Sequence, residues 1–110
     1  MVLRRRDWLN FVSEREWHNT VTEAAALQGW TVFWTQQSGP GKGKGAHSPP
    51  GEPDLRIIRP PRVIFAELKK QDGKATPEQE EALALLAQCP GVEAYLWRPG
   101  DWDDVERILR

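Results

Sequence analysis

Within "GEPDLRIIRPPRVIFAELKK", residues 51 to 70, two acids stand where apolar runs would otherwise continue. Asp54 precedes "LRII", Glu67 falls inside "VIFAEL", and Lys69 follows two residues later. The second run is apolar on both faces, as in a covered central strand. A carboxylate there is costly without a partner. If Arg59 to Arg62 form a hairpin loop, Ile58 opposes Val63, Ile57 opposes Ile64, Arg56 opposes Phe65 and Leu55 opposes Ala66. Asp54 then opposes Glu67. Opposed residues share a face with their Cβ atoms about 5 Å apart, and like charges so placed destabilise a sheet. A divalent cation reverses that sign, and oxygen ligands suit Mg²⁺ or Mn²⁺. Lys69 projects from the same face as Glu67. There an ammonium can orient or deprotonate a water, or offset charge on a phosphate. A bound metal lowers the pKa of its water and neutralises a developing oxyanion. Two acids, a lysine and a metal describe phosphodiester hydrolysis. A slip of one residue in register would send the acids to opposite faces and remove the argument.

Other elements must bring further groups to this pair. "SEREWHNTVTEAAALQGW" reads as a helix with Ser13 as N-cap, Glu16 completing a capping box and Gly29 as the stop. Glu14, Trp17, His18, Val21, Ala25 and Gln28 share one face. Glu14, an acid on that stripe, either caps the helix end or points into the site; Glu16 lies off the stripe and is the alternative. "WTVFWTQ", Trp30 to Gln36, reads as a strand. Asp54 to Ile58 and Val63 to Lys69 read as the two strands of the hairpin. "TPEQEEALALLAQCP" opens a helix with Thr76 as N-cap, Pro77 at the first position and Gln79 three residues after the cap. Gln79 could equally complete that cap or donate to a phosphate or a water in the site. Leu83, Leu86 and Ala87 form the apolar stripe of this helix. "VEAYLW" is a strand, and "PGDWDDVERILR" a closing helix capped by Asp101. The third strand, the Thr76 helix and the Val92 strand form a β-α-β unit, which requires a parallel pair with a right-handed crossover. The expected fold is α/β, with a mixed sheet of an antiparallel hairpin and one parallel strand, flanked by helices.

The chain of 110 residues suits one domain, 1–110. Within it, 1–12 read as an N-terminal arm and 37–52 as a flexible loop. Eight of the 18 Gly and Pro residues fall in "SGPGKGKGAHSPPGE", and loops of this length are functional or disordered. No apolar run approaches a membrane span and no signal peptide is evident. The single cysteine, Cys89, excludes an internal disulfide and a Cys-rich zinc site and fits a reducing cytoplasm. It reads as a small apolar residue at a helix end.

Net charge is −1, but Gly39 to Lys74 holds eight Lys/Arg against four acids, and Ala75 to Arg110 three against eight. The asymmetry suggests one face meeting a polyanion; two differently charged solvated surfaces would look the same. Lys42, Lys44 and His47 on the loop could follow DNA phosphates, as could Lys70 and Lys74 beyond the hairpin. Arg4, Arg5 and Arg6 could touch backbone or nothing. Of six Trp residues, Trp17, Trp30, Trp34 and Trp97 fall within regular elements and read as core. Trp8 could serve a partner chain.

"EPDL" followed by "AELK" resembles the PD-(D/E)xK nuclease motif. With "EREWH" on the first helix, the "GW" after it, "AELKKQDGKATPEQ" and "YLWRPGDWDDVERIL", the chain from about Ser13 onward resembles the virus-type replication-repair nuclease (VRR-NUC) domain in its compact, phage-type stand-alone form. The resemblance implies a restriction-endonuclease-like fold. It implies a catalytic set of Glu14, Asp54, Glu67 and Lys69, with Gln79 as a later motif residue, and metal ligands Asp54, Glu67 and Glu14. It implies Mg²⁺ or Mn²⁺, a DNA substrate of branched or Holliday-junction-like form, and a homodimer in the cytoplasm of a bacterial host. His18 departs from the Gln common in the family at that position and reads as a polar neighbour of the site. Two other readings stand beside the nuclease. One is a catalytically silent nucleic-acid-binding or assembly module of the same fold. The other is a structural domain whose acids are satisfied by Arg56 or Arg62.

Overall fold

The structure, a computed structural model, describes residues 8–35 and 49–110. The readings placed on Arg4 to Arg6 and on Lys42, Lys44 and His47 lie outside the described residues. Helix α1 spans Glu14–Leu27. Its first turn is fixed as the sequence requires: the Ser13 hydroxyl accepts from the Glu16 N–H and a Glu16 carboxylate oxygen accepts from the Ser13 N–H, both at 3.0 Å. At the other end Gly29 takes φ +87°. Trp30 N–H donates back to the Ala25 carbonyl and Gly29 N–H to that of Ala26, a Schellman ending.

Strands β1 (Thr31–Trp34), β2 (Leu55–Arg59), β3 (Arg62–Leu68) and β4 (Val92–Trp97) form one sheet in the order β1-β2-β3-β4. The first three are antiparallel, and β3 and β4 run parallel. The mixed sheet of the expected fold class is therefore observed. β1 is shorter than the expected Trp30–Gln36. Trp30 belongs to the helix ending, and its indole turns into the core to donate to the Leu109 carbonyl at 2.8 Å. The hairpin has the expected register from Leu55↔Ala66 to Ile58↔Val63. Its loop, however, is Pro60–Pro61 alone, because Arg59 and Arg62 pair as a last rung.

Helix α2 (Pro77–Ala87) crosses between β3 and β4, and α3 (Trp102–Leu109) closes the chain after a 3₁₀ turn at Pro99–Asp101. The Asp101 carboxylate caps that turn, accepting from the Arg98 N–H at 2.8 Å, and makes no side-chain cap to α3.

Alternation along the strands divides the sheet into two unequal faces. Leu55, Ile57, Ile64, Ala66, Leu68 and Trp97 point one way and meet Trp17, Val21 and Ala25 of α1 and Val105 and Leu109 of α3. This is the core. Trp17 spans it, its indole N–H donating to the Trp97 carbonyl at 3.0 Å. Trp17→Phe removes one of the two donors to that carbonyl, which keeps the Lys69 N–H at 3.0 Å. The substitution is expected to cost about 1 kcal/mol, read as a fall of a few degrees in Tm by circular dichroism.

The opposite face carries α2 over β3 and β4. α2 buries no residue fully. Leu83 and Leu86 are half-buried, but Ala87, expected on the stripe, is exposed. Trp34 also departs from expectation. It ends an edge strand and is 58% exposed, so it is not core. Cys89 is exposed beyond α2. No helix among the described residues is long and apolar enough to cross a membrane.

Candidate active site

The one buried charged side chain among the described residues is Glu67, 2% exposed. It sits near the C-terminal end of β3, on the face that α2 covers. Asp54 stands just before β2, in the position the register assigns opposite Glu67. Its main chain continues the ladder, the Asp54 carbonyl accepting from the Thr35 N–H at 2.9 Å. Its carboxylate reaches across to β3 and accepts from the Leu68 N–H at 2.8 Å. The two acids thus stand on neighbouring strands at the same end of the hairpin.

Burial pushes the Glu67 carboxyl up to about 7, and the adjacent Asp54 charge adds to the rise. The Lys69 ammonium, 3.5 Å from Glu67 Oε2, acts in the opposite direction without cancelling them. Glu67 Oε2 also accepts from Gln79 Nε2 at 3.0 Å. Glu67 Oε1 is buried with no hydrogen-bond partner. Buried polar atoms are rarely left so, and an orphaned carboxylate oxygen beside a second carboxylate is the environment a hard divalent cation fits.

Gln79 performs both of the roles the sequence left open. Its Oε1 accepts from the Thr76 N–H at 2.8 Å, closing the capping box of α2, while its Nε2 donates to Glu67. The first turn of α2 is therefore anchored to the site by one side chain.

These groups open into a cleft of about 560 Å³ that Glu14, Arg15 and His18 line from α1 and Asp54, Glu67, Lys69 and Gln79 line from the sheet and α2. Glu14 faces the cleft, whereas Glu16 is held by Ser13. No group of three or more His, Cys, Asp or Glu among the described residues is close enough to hold a metal as it stands. Asp54 and Glu67 are together, and Glu14 lines the same cleft from α1. The wholly structural reading fails on geometry. Arg62 forks onto Glu93 with two contacts of 2.8 Å, and Arg56 lies over the Phe33 ring, 4.9 Å from its centroid. Neither is paired with Asp54 or Glu67.

Lys70 and Lys74 are exposed on the segment after β3, Lys70 being 3.6 Å from Asp72. This segment is tied to the chain after β4: Arg98 donates to the Gly73 carbonyl from Nε at 3.0 Å and from a terminal nitrogen at 2.8 Å, and Gln71 accepts from the Gly100 N–H. Sequence reasoning did not single out Arg15, Gln71 or Gly51. Gly51 has φ +102° and packs so closely on α2 that a β-carbon there would collide with the Glu78 carbonyl. A glycine between Pro50 and Glu52 signals a turn, but the helix it touches lies far along the chain.

No family model matches the chain, and no curated protein matches it. A solved structure described as a "VRR_NUC domain" superposes with a TM-score of 0.65 over 89% of this chain and 95% of that one, at 20% sequence identity. The likeness is one of fold.

Proposed function

We propose that this chain, as a single domain, is a metal-dependent DNA endonuclease acting on branched or Holliday-junction-like DNA, in the form of a homodimer. The observation that carries the proposal is the buried Glu67 with an orphaned oxygen beside Asp54. A side chain so placed is destabilised until a cation joins it, and function is the reason to keep it. Asp54 and Glu67 would hold Mg²⁺ or Mn²⁺, with Glu14 completing the set from α1. The ion, when bound, supplies charge stabilisation at a phosphate and activates water. The chain's own residues do the rest. Gln79 fixes the orientation of Glu67. Lys69, partly screened from solvent, keeps a positive charge where a phosphate oxygen or water would stand. Lys70 and Lys74 offer non-specific phosphate contacts, and the outlying Lys42 and Lys44 are proposed for the same role. Two-fold pairing would present two such clefts to the two strands of a branch.

The separation of Glu14 from the two sheet carboxylates favours, as a second reading, a silent DNA-binding module of the same fold. One experiment divides the readings: incubation of the full chain with a four-way junction, a flap and a plain duplex in Mg²⁺, in Mn²⁺ and in a chelator. Products with either ion on the branched forms, and none in chelator, are expected. Binding without product under every condition identifies the silent module. Products that persist in chelator overturn the metal-dependent mechanism.

A further inference from the structure

The sheet face bearing Glu67 is not covered by α2 over its whole width. Toward the β1 edge, Phe33 pairs with Arg56 and Arg56 with Phe65, so the three side chains form a row on one face. Phe33 is 43% exposed, Arg56 is exposed and Phe65 half-buried. Arg56 stands over the Phe33 ring at 4.9 Å and has no acidic partner among the described residues. The row borders a cleft of about 190 Å³ that Glu52 and Trp34 also line. It lies two rungs from the Asp54–Glu67 rung, about 7 Å along the strands, on the same side as Glu67.

We infer that this row is a stacking site for one unpaired nucleobase adjoining the phosphate to be cut, so that the enzyme selects DNA whose strand is unstacked at the cleavage point. The inference rests on the nuclease reading above and adds the feature of the substrate that is read. Two aromatic rings and a guanidinium present π-faces and positive charge together, the combination that holds single-stranded bases without regard to sequence. Arg56 is free to meet the phosphate of the same nucleotide. The Glu52 carboxylate disfavours a phosphate at its own side and can accept from a base amino group, which orients the base inward. A paired base inside a duplex cannot expose its face to such a row.

The test uses the full chain in chelator and DNA carrying 2-aminopurine, either unpaired at a branch point or paired within a duplex. Anisotropy and 2-aminopurine fluorescence are read together. The unmodified protein is expected to bind the unpaired probe on the order of tenfold more tightly than the duplex and to alter its fluorescence. Phe33→Ala and Arg56→Gln each remove most of that preference and leave duplex binding in place, whereas Phe33→Tyr retains it. If both variants keep the preference and the fluorescence change, the stacking site is wrong while cleavage of the branched panel still supports the nuclease. If neither DNA is bound or cut by the unmodified protein, the nuclease reading falls with it.

Discussion

Glu67→Gln is expected to cut cleavage severely and, in metal-free buffer at pH 8, to stabilise the fold. The two effects have one cause. With its folded pKa raised to about 7 from an ordinary 4.5, Glu67 binds more protons in the native chain than in the unfolded one between those values. Stability contributed by the protonated form is present below pH 4.5 and lost as pH rises to 7. Above pH 7 the native state carries the full cost of a buried anion, at most about 3 kcal/mol. An amide has no such cost. Its oxygen can still accept from Gln79, and its nitrogen, placed where Oε1 stands unpartnered, can donate to Asp54. The variant should melt several degrees above the parent at pH 8, and the gap should shrink or vanish at pH 5. Cleavage should fall on the order of a thousandfold, because a neutral amide is a poor ligand for a hard cation and removes charge complementarity at the reacting phosphate. A variant that melts below the parent at pH 8 would show that the carboxylate is not held at a cost.

The second large effect is expected at a residue that touches no substrate. Gly51→Ala must place a side chain at φ +102° and against the Glu78 carbonyl in the first turn of α2. The left-handed backbone costs about 1–2 kcal/mol, and crowding against main chain adds about 1–3 kcal/mol. The helix can escape only by shifting, and its first turn carries Gln79, 3.0 Å from Glu67. Activity should therefore drop with stability, by roughly 10- to 100-fold as for loss of a group that orients a ligand. The check is to compare Gly51→Ala with Gln79→Ala. The two should impair cleavage similarly, while the first alone lowers Tm by more than about 5 °C. Wild-type activity in Gly51→Ala would mean that α2 does not set the position of Glu67.

What could be read in advance was whatever depends on counting along the chain. The hairpin register followed from pairing outward from Ile58 and Val63. It survived an incorrect loop because making Arg59 and Arg62 a rung adds a pair without shifting the others. Both capping boxes, at Ser13 and Thr76, were legible because they are closed within four residues. The parallel β3–β4 pair followed from the crossover between them. Contacts between distant segments were not legible. Trp34 has the composition of a core strand residue, but its exposure is decided by β1 being the edge. Trp30 left the strand because the helix ending claimed its N–H. Spacing alone leaves Gln79 a choice between cap and site, and only the placement of α2 over Glu67 shows that its two polar atoms serve both. Gly51 is constrained by a helix that begins more than twenty residues later.

Lys69 receives much of its placement from chain that is made after it. Its N–H is held by the Trp97 carbonyl, and the segment that follows it is moored by Arg98 and by Gly100. During synthesis the hairpin can close as soon as Leu68 has emerged, bringing the like-charged pair together while the ammonium still moves freely. In the proposed enzyme the lysine would gain its place only when the final strand docks, and a ribosome-bound fragment ending before Trp97 would carry the acids but lack an ordered ammonium.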